Sequence, residues 1–270
     1  MKTIRLIHNL PRSGGTIISK CLGAQKDVIL LSEIHPKGTS ITKKMGVNKP
    51  FFDPIFQFQN WNNLFEENEY KKICNSNLKF EQKIDLIFKK IELMNKKLII
   101  RDWSFIDFFG KPFLEPSYKN SLFEILKKKF KILNLYIIRH PLKVYESCYN
   151  NMSFFRKDYD LDLFIKGYKK FFLSTSKNNS FMFENFILEP EKSLKSMCSS
   201  LKIDYDKNFI KKLKNVNATG DPNALNATNI QTKDSISKKK LISEDELNNI
   251  KNRADFINLI KDFKSYYQNV

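Results

Sequence analysis

The sequence predicts an α/β fold, a single domain in which helices flank one parallel β-sheet. The first observation is a set of five short apolar runs, at residues 4–10, 28–31, 98–100, 133–138 and 181–186. The second is that longer stretches with helical spacing separate these runs, an alternation typical of βαβ units. The chain has 270 residues, enough for one large core, and shows no linker or repeat. We therefore expect one domain over residues 1–270.

Helical spacing between the runs predicts nine helices, over residues 15–22, 61–74, 80–94, 121–130, 142–150, 161–174, 190–201, 206–213 and 243–263. The last begins Ser243-Glu244-Asp245-Glu246, which puts acidic side chains in the first turn, where the helix dipole favours them. The least regular stretches are residues 32–60 and 215–240. Long irregular segments are usually functional or disordered, so both are candidates for parts of a binding site.

The composition is strongly basic, with 47 Lys and Arg against 29 Asp and Glu and a formal net charge of +18. A basic chain attracts anions. A cofactor with several negative charges would meet this charge, and so would an acidic acceptor. Nucleic acid and an anionic membrane surface are the competing partners.

The four cysteines, Cys21, Cys74, Cys148 and Cys198, are widely spaced. No pair has metal-ligand spacing and no disulfide framework is indicated, so we expect reduced thiols and no bound metal. No apolar run reaches the roughly 20 residues of a membrane-spanning helix, and the N-terminal run is too short for a signal peptide. The sequence thus predicts a cytoplasmic protein without a membrane span.

The N-terminal segment predicts a phosphate-binding loop. An apolar run ends in Pro11-Arg12-Ser13-Gly14-Gly15-Thr16, and a helical pattern follows at once. Such a strand–loop–helix step aims backbone N–H groups and the positive end of the helix dipole at one point, which suits a phosphate or sulfate group. Arg12 adds a planar cation, and Ser13 and Thr16 add hydroxyl donors. The alternative is an ordinary Gly-rich turn.

This loop lacks the Gly-Lys-[Ser/Thr] step of nucleotide triphosphatases, since no Lys follows the Gly pair and Arg12 precedes it. It resembles instead the Pro-[Lys/Arg]-Ser-Gly-Thr-Thr loop of sulfotransferases that use 3′-phosphoadenosine 5′-phosphosulfate, with Gly15 in place of the first Thr. In that family the loop holds the 5′-phosphosulfate, and the fold is a P-loop-like parallel sheet.

A second segment resembles the same family. After the run 133–138 the chain reads Arg139-His140-Pro141, and Ser147 follows Arg139 by eight residues in the next predicted helix. The family's 3′-phosphate site is an Arg at a strand end and a Ser eight residues later. Pro141 suits the first turn of a helix. Taken singly, Arg139 could be a surface cap and Ser147 a small core residue.

The resemblance implies 3′-phosphoadenosine 5′-phosphosulfate as the sulfonate donor, held by these residues: Arg12, Ser13, Gly14, Gly15, Thr16, Ile17, Arg139, Ser147 and Lys233. Lys233 lies in the irregular stretch 215–240, where family members carry basic residues to the 3′-phosphate from a closing loop. The alternative for Lys233 is a solvated surface position, because lysine is abundant throughout the chain.

Arg101 is implied near the sulfonate, because family members place a Lys or Arg at the end of this strand. Some carry a catalytic His two residues later, where this chain has Trp103, which cannot accept a proton. The alternative for Arg101 and Asp102 is a local ion pair.

The catalytic base is predicted just past the second strand, at Glu33 or His35, because ligands bind at the carboxyl ends of parallel strands. A Glu in this place is the base of the tyrosylprotein branch of the family. In an extended segment residues 33 and 35 would share one face. We favour Glu33, with His35 as second choice or acceptor contact, and expect His8 in the core. The alternatives are a surface carboxylate and a structural loop histidine.

The sequence therefore predicts a sulfotransferase acting on a hydroxyl or amine of a small-molecule, glycan or lipid acceptor, with no metal and no nucleic acid partner. Two other functions stay open, a basic protein that binds nucleic acid or another polyanion, and a nucleotide-dependent kinase on the related fold.

Overall fold

The structure is a computed structural model that describes residues 2–176, 179–230 and 241–267, with side chains to residue 265. It contains a five-stranded sheet in the order β2-β3-β1-β4-β5, and all neighbouring strands are parallel. The strands are β1 Thr3–Asn9, β2 Val28–Ile34, β3 Lys97–Asp102, β4 Lys131–Ile138 and β5 Ser180–Met182. The predicted α/β fold with one parallel sheet is confirmed.

Helices fill the connections between strands. Those before β4 are α1 Gly15–Gly23, α2 Gly38–Lys44, α3 Pro54–Asn62, α4 Glu67–Asn75, α5 Phe80–Leu93, α6 Ser104–Phe108 and α7 Ser121–Leu126. Those between β4 and β5 are α8 Pro141–Asn151, α9 Ser153–Asp158 and α10 Leu161–Leu173. The described helices after β5 are α11 Phe183–Leu188, α12 Pro190–Ser200, α13 Phe209–Lys212, α14 Pro222–Leu225, α15 Glu244–Asn252 and α16 Ala254–Tyr267.

The two faces of the sheet bury separate apolar clusters, because successive side chains of a strand point to opposite faces. On one face Leu6 and Ile100 pack with residues of α3, α5 and α7. On the other face Ile7 and Ile99 pack with residues of α1 and α12. Helices therefore cover both faces of the sheet. The site must then lie at the ends of the strands rather than on a face of the sheet.

A third cluster is rich in aromatic rings and joins α6, α8, α9, α10, α15 and α16. It includes Leu10, Trp103 and Ile138, which lie at or just beyond the carboxyl ends of β1, β3 and β4. This cluster fixes the loops that leave these strand ends, and those loops carry the predicted site residues.

The run 181–186 was predicted as one strand, but the strand ends at Met182 and α11 begins at Phe183. The physical reason is pairing. Residue Met182 lies opposite Ile138, which is the last residue of β4, so the edge strand has no partner beyond that point.

Two predicted helices are divided. In place of a helix over 61–74, α3 ends at Asn62 and Asn63 takes a left-handed φ of 49° before α4 begins at Glu67. In place of a helix over 243–263, α15 and α16 meet at Arg253, whose backbone is extended. Within the irregular stretch 32–60 the structure adds α2 and the start of α3, which Asp53 caps by accepting hydrogen bonds from the N–H groups of Ile55 and Phe56.

Among the described residues, no helix combines the length and the apolar character that crossing a bilayer requires.

Candidate active site

Four parallel strands deliver the candidate residues to one edge of the sheet. The loop 10–14 follows β1, Glu33 lies near the end of β2, Arg101 near the end of β3, and Arg139 directly after β4. Parallel strands point their carboxyl ends the same way, which is where ligands bind in such sheets. The topology thus brings together residues that are far apart in the chain, such as Arg12 and Arg139, which are separated by 127 positions.

The loop after β1 presents an uncapped helix start. Gly14 precedes α1 with a φ of 81° and contributes no side-chain cap, so the first N–H groups of the helix are free of a side-chain acceptor. A left-handed φ favours glycine. A Cβ at Gly14 would also overlap the ring of Phe183. The loop therefore needs glycine here, both for its backbone and for the close approach of Phe183.

The two predicted phosphate motifs meet through Arg12. Its Nε donates to Oγ of Ser147 at 3.1 Å, and Nη1 of Arg139 donates to the carbonyl of Arg12 at 2.7 Å. The guanidinium of Arg139 lies 5.1 Å from the centre of the Phe183 ring. One ribose separates the 5′- and 3′-phosphates of a nucleotide, so adjacent subsites are what a single bisphosphorylated nucleotide requires.

Arg101 is a buried cation, with 2% of its surface exposed. Its Nε and Nη2 donate to Oγ of Ser32 at 3.2 and 2.9 Å, and Nη1 donates to Oγ1 of Thr16 at 3.3 Å. Burial lowers the pKa of Arg101, and the nearby carboxylates of Glu33 and Asp102 oppose that shift. The arginine therefore connects the loop after β1 to the end of β2.

Glu33 lies on a β-bulge. The register between β2 and β3 shifts between Leu31 and Ile34, and the backbone of Glu33 has a φ of 56°. Its Oε1 lies 3.3 Å from Nη2 of Arg101, and the side chain is 20% exposed. The bulge turns the carboxylate toward Arg101 and keeps it open to a ligand, a placement typical of functional sites.

His35 is built into the core instead. Its Nδ1 accepts the N–H of Lys37 at 3.0 Å, and its Nε2 lies 3.3 Å from Oδ1 of Asp107. Both ring nitrogens are engaged and the residue is buried. In an extended strand, residues 33 and 35 would point to the same face. The positive φ of Glu33 interrupts the extended backbone, so the two side chains do not share a face.

The segment after α13 closes over the loop. The N–H of Asp221 donates to Oγ1 of Thr16 at 3.2 Å, and the carboxylate of Asp221 pairs with Nη1 of Arg12 at 3.0 Å. The carbonyl of Thr219 accepts from Arg101 at 2.7 Å, and Nζ of Lys20 donates to the carbonyl of Leu225. The protein thus places its own carboxylate against the loop arginine. Lys233 lies outside the described residues.

His8 and Asp102 form a buried ion pair on the strands behind the site. Nδ1 of His8 lies 2.5 Å from Oδ2 of Asp102, and Nε2 lies 3.0 Å from Oδ1 of Asn134. Each ring nitrogen of His8 thus lies beside an oxygen that can accept a hydrogen bond. Only the imidazolium form carries a proton on both nitrogens, so this arrangement fits that form. Burial alone would lower the pKa of His8, but Asp102 outweighs it and the pKa is raised, whereas the pKa of Asp102 is lowered because His8 and two side-chain donors outweigh its burial. His8 belongs to the core, as predicted.

Sequence reasoning missed several residues of this site. Ser32 is fully buried and accepts hydrogen bonds from Arg101 and from the N–H of Thr219. Its neighbour Glu33 was chosen for its place at a strand end, and the same signal applied to Ser32. Asp221 stood in the irregular segment 215–240, a candidate part of the binding site in which only Lys233 was assigned a role, and Phe183 was read as part of a strand.

Comparison with solved structures finds sulfotransferase domains across almost the whole chain. The sulfotransferase domain of the olefin synthase from Synechococcus PCC 7002 is 17% identical, with a TM-score of 0.66 over 97% of this chain and 94% of that chain. The sulfotransferase domain from the curacin biosynthetic pathway is 16% identical, with a TM-score of 0.62 over 98% of both chains. The chain has the sulfotransferase fold. No protein-family model matches the sequence, and no curated protein matches it either.

Among the residues that the structure describes, no group of three or more His, Cys, Asp or Glu side chains is placed to hold a metal ion.

Proposed function

We propose that the chain is a sulfotransferase that moves a sulfonate group from 3′-phosphoadenosine 5′-phosphosulfate to a hydroxyl or amine of an acceptor. The observation that carries the proposal is the contact of Arg12 with Ser147 and Arg139 in front of the uncapped start of α1. The sulfotransferase fold supports it, because its strand ends bring these residues to one place.

The residues fit a donor with two anionic ends. The phosphosulfate would be held by N–H groups, hydroxyls and a cation at the start of α1. These are the N–H groups of Gly14, Gly15 and Ile17, the hydroxyls of Ser13 and Thr16, and the guanidinium of Arg12. Arg139 and Ser147 suit the 3′-phosphate. The face of Phe183, already beside Arg139, is an apolar surface of the kind on which a base stacks. We infer that Lys233 also contacts the 3′-phosphate. This inference rests only on the place of Lys233 in the sequence.

The donor supplies the sulfonate group and leaves as the bisphosphate. In the proposed transfer, the acceptor oxygen or nitrogen forms a bond to sulfur while the bond from sulfur to the 5′-phosphate oxygen breaks, and the acceptor's proton passes to the carboxylate of Glu33. By analogy with phosphoryl transfer the transition state is loose, so positioning and charge stabilisation carry most of the effect. Arg101 and Thr16 lie together where that charge would be stabilised.

Glu33 is the better base for geometric reasons. Its carboxylate is partly exposed beside Arg101, whereas both nitrogens of His35 already have partners in the core. A general base must reach the proton that it takes, and geometry comes before basicity in choosing it. We assign His35 a structural role in fixing the turn after β2.

The thiols support a reducing location. Cys21, Cys148 and Cys198 are buried and free, and burial raises the pKa of Cys148 and of Cys198 to about 12. Such thiols are inert, and free cysteines are usual in proteins of the cytoplasm. We propose that location for this chain.

The test is ligand-dependent thermal stabilisation followed by transfer of labelled sulfonate. Adenosine 3′,5′-bisphosphate should raise the melting temperature, whereas ATP with Mg²⁺ and duplex DNA should raise it much less. Radiolabelled donor should then transfer its label to an acceptor from a panel of phenols, alcohols, amines and sugars. Stabilisation by ATP with Mg²⁺ alone would favour a kinase, and salt-sensitive stabilisation by DNA alone would favour a polyanion-binding protein.

A further inference from the structure

Beside Glu33 the structure contains a cavity of about 130 Å³. It lies at the carboxyl ends of β1 and β3, because Asn9 and Trp103 both line it. It therefore adjoins the proposed base on one side and the loop after β1 on the other. A cavity in this place is where an acceptor would meet the donor's sulfonate.

The cavity wall is mostly apolar and includes four aromatic rings. Phe113 and Phe154 pack edge to face with their centres 5.8 Å apart, and Phe105 lies 5.6 Å from Phe154 in the same manner. The indole of Trp103 is held by stacking on Phe52 at 3.9 Å. Rings in these arrangements form a stiff apolar wall. Among the described residues that line the cavity there is no Lys or Arg, so an acidic group entering it would find no counter-charge.

The volume limits the occupant. An engineered apolar cavity of about 150 Å³ holds one benzene molecule. At about 130 Å³ this cavity encloses one six-membered ring or a comparable aliphatic segment, and it would not enclose a disaccharide. The apolar wall also disfavours a sugar ring, whose several hydroxyl groups would lose their hydrogen bonds to water.

Four polar residues interrupt the apolar lining, namely Asn9, Glu33, Asp102 and Ser104. Ser104 donates to Asp102, which also pairs with His8, so two polar groups are left for a ligand hydroxyl. One is the carboxylate of Glu33. The other is Asn9, which is 8% exposed and whose Oδ1 has no hydrogen-bond partner among the described residues. The Asn9 side chain also lies directly against Gly15 of the loop, so it stands between the loop and the cavity. An unsatisfied buried oxygen is destabilising, and a hydrogen bond from a ligand hydroxyl would remove that penalty.

We propose that this cavity binds the acceptor and that the acceptor is an uncharged apolar alcohol or phenol with a single six-carbon ring, or an equally short aliphatic group, next to its hydroxyl. The inference rests on the proposed sulfotransferase function. Oδ1 of Asn9 and the carboxylate of Glu33 share the single proton of the hydroxyl in a three-centre hydrogen bond, which orients the acceptor. Glu33 takes this proton as the oxygen bonds to sulfur, and the four aromatic rings enclose the ring that carries the hydroxyl.

Binding is tested without turnover, by tryptophan fluorescence. The chain has 2 Trp residues, so the variant Trp61→Phe leaves Trp103 as the sole reporter. Cyclohexanol does not absorb where tryptophan emits, and it should change the emission in a saturable manner. Methyl glucoside should not. The matched variant Trp103→Phe keeps Trp61 on α3, outside the cavity lining, and should show no response.

Selectivity is tested with labelled donor. We expect phenol to be sulfonated with a kcat/KM at least about tenfold above that of methyl glucoside. Phe154→Ala enlarges the cavity, so the ratio of kcat/KM for 2-naphthol to that for phenol should rise about fivefold or more. The control Phe51→Ala removes an exposed ring outside the cavity lining and should leave that ratio unchanged.

The outcomes separate the two proposals. Sulfonation of sugars or amines in preference to phenol, or no fluorescence response to cyclohexanol, overturns the assignment of the acceptor and leaves the sulfotransferase function in place. A saturable response of Trp103 with no transfer from the donor to any acceptor overturns the function and leaves the cavity as a binding site for apolar alcohols. Equal ratios for Phe154→Ala and Phe51→Ala show that the acceptor does not occupy the cavity.

Discussion

At the scale of single residues, the site depends on a buried guanidinium that the protein satisfies with its own oxygens. Arg101 donates to Ser32, Thr16 and Thr219 and lies beside Glu33. A buried charge is tolerated only when it is paired and hydrogen-bonded. The same bonds hold the guanidinium in one orientation, so a developing negative charge at the loop would meet a cation that needs no rearrangement.

The base assignment is tested by Glu33→Gln, which keeps size and polarity but removes basicity. Turnover should fall by about 10²- to 10⁴-fold, because a positioned base contributes that much. Donor affinity, measured by calorimetry with the bisphosphate, should stay nearly unchanged.

The parallel variant is His35→Asn, which loses the contacts to Asp107 and to the N–H of Lys37. We expect a lower melting temperature and a turnover within a few-fold of the parent. The opposite pattern, with Glu33→Gln active and His35→Asn inactive but folded, would make His35 the base.

The pair of His8 and Asp102 should show itself in the pH dependence of stability. The reference is the double variant His8→Asn/Asp102→Asn, which removes both titrations. Because folding raises the pKa of His8, the protonated histidine stabilises the folded state. This stabilisation is complete below pH 6.5, the usual pKa of histidine, and is lost as the pH rises through the folded-state pKa. Because folding lowers the pKa of Asp102, its carboxylate also stabilises the folded state. This stabilisation is complete above pH 3.8, the usual pKa of the side chain, and is lost as the pH falls through the folded-state pKa.

The excess stability of the parent over this double variant, measured by denaturant unfolding, should therefore be greatest between about pH 4 and 6.5. It should decline on both sides of that window. An excess that is constant or still rises from pH 6.5 to 8 would show that His8 is not an imidazolium in the folded protein.

At the scale of elements, the segment that follows α13 would compete with the proposed donor for the loop. Asp221 pairs with Arg12 at 3.0 Å in a partly exposed ion pair. An anionic donor must share or replace that carboxylate. A partly exposed pair of this kind contributes about 0–1 kcal/mol, so its effect on binding is correspondingly modest.

Asp221→Asn should therefore tighten binding of adenosine 3′,5′-bisphosphate by about two- to fivefold, since 1.4 kcal/mol is tenfold in an equilibrium constant. Calorimetry measures the dissociation constant. The control is Asp206→Asn, which removes a carboxylate that pairs with Lys212 away from the site. Weaker binding by Asp221→Asn than by the control variant would mean that the carboxylate supports the donor site rather than competing for it.

The elements also show what a sequence can predict. The loop after β1 was predicted because local spacing encodes a strand end followed by a helix start, and the pair Arg139 and Ser147 was predicted from its resemblance to the 3′-phosphate motif of sulfotransferases. The bulge at Glu33 was not found, since it exists only in the pairing of β2 with β3. The closing of residues 219–221 onto Arg12 and Thr16 joins positions about 200 residues apart, which no local pattern records.

At the scale of the whole molecule, the net charge of +18 suits any polyanion and so does not choose among functions. The arrangement of cations is more specific. Arg12, Arg101 and Arg139 converge on one strand edge, in a fold shared with sulfotransferase domains. Under the proposed function, the protein recognises one phosphate at the loop and a second at Arg139, and discriminates nucleotides by the presence of the 3′-phosphate.

The most direct test compares adenosine 3′,5′-bisphosphate with adenosine 5′-phosphate by calorimetry, on the parent protein and on Arg139→Ala, with folding of the variant checked by circular dichroism. A charged hydrogen bond contributes about 1.5–3 kcal/mol, so the parent should prefer the bisphosphate by about ten- to a hundredfold. Arg139→Ala should abolish most of that preference and change the affinity for the 5′-phosphate by less than about threefold. Equal losses for both ligands, or no preference in the parent, would contradict the account.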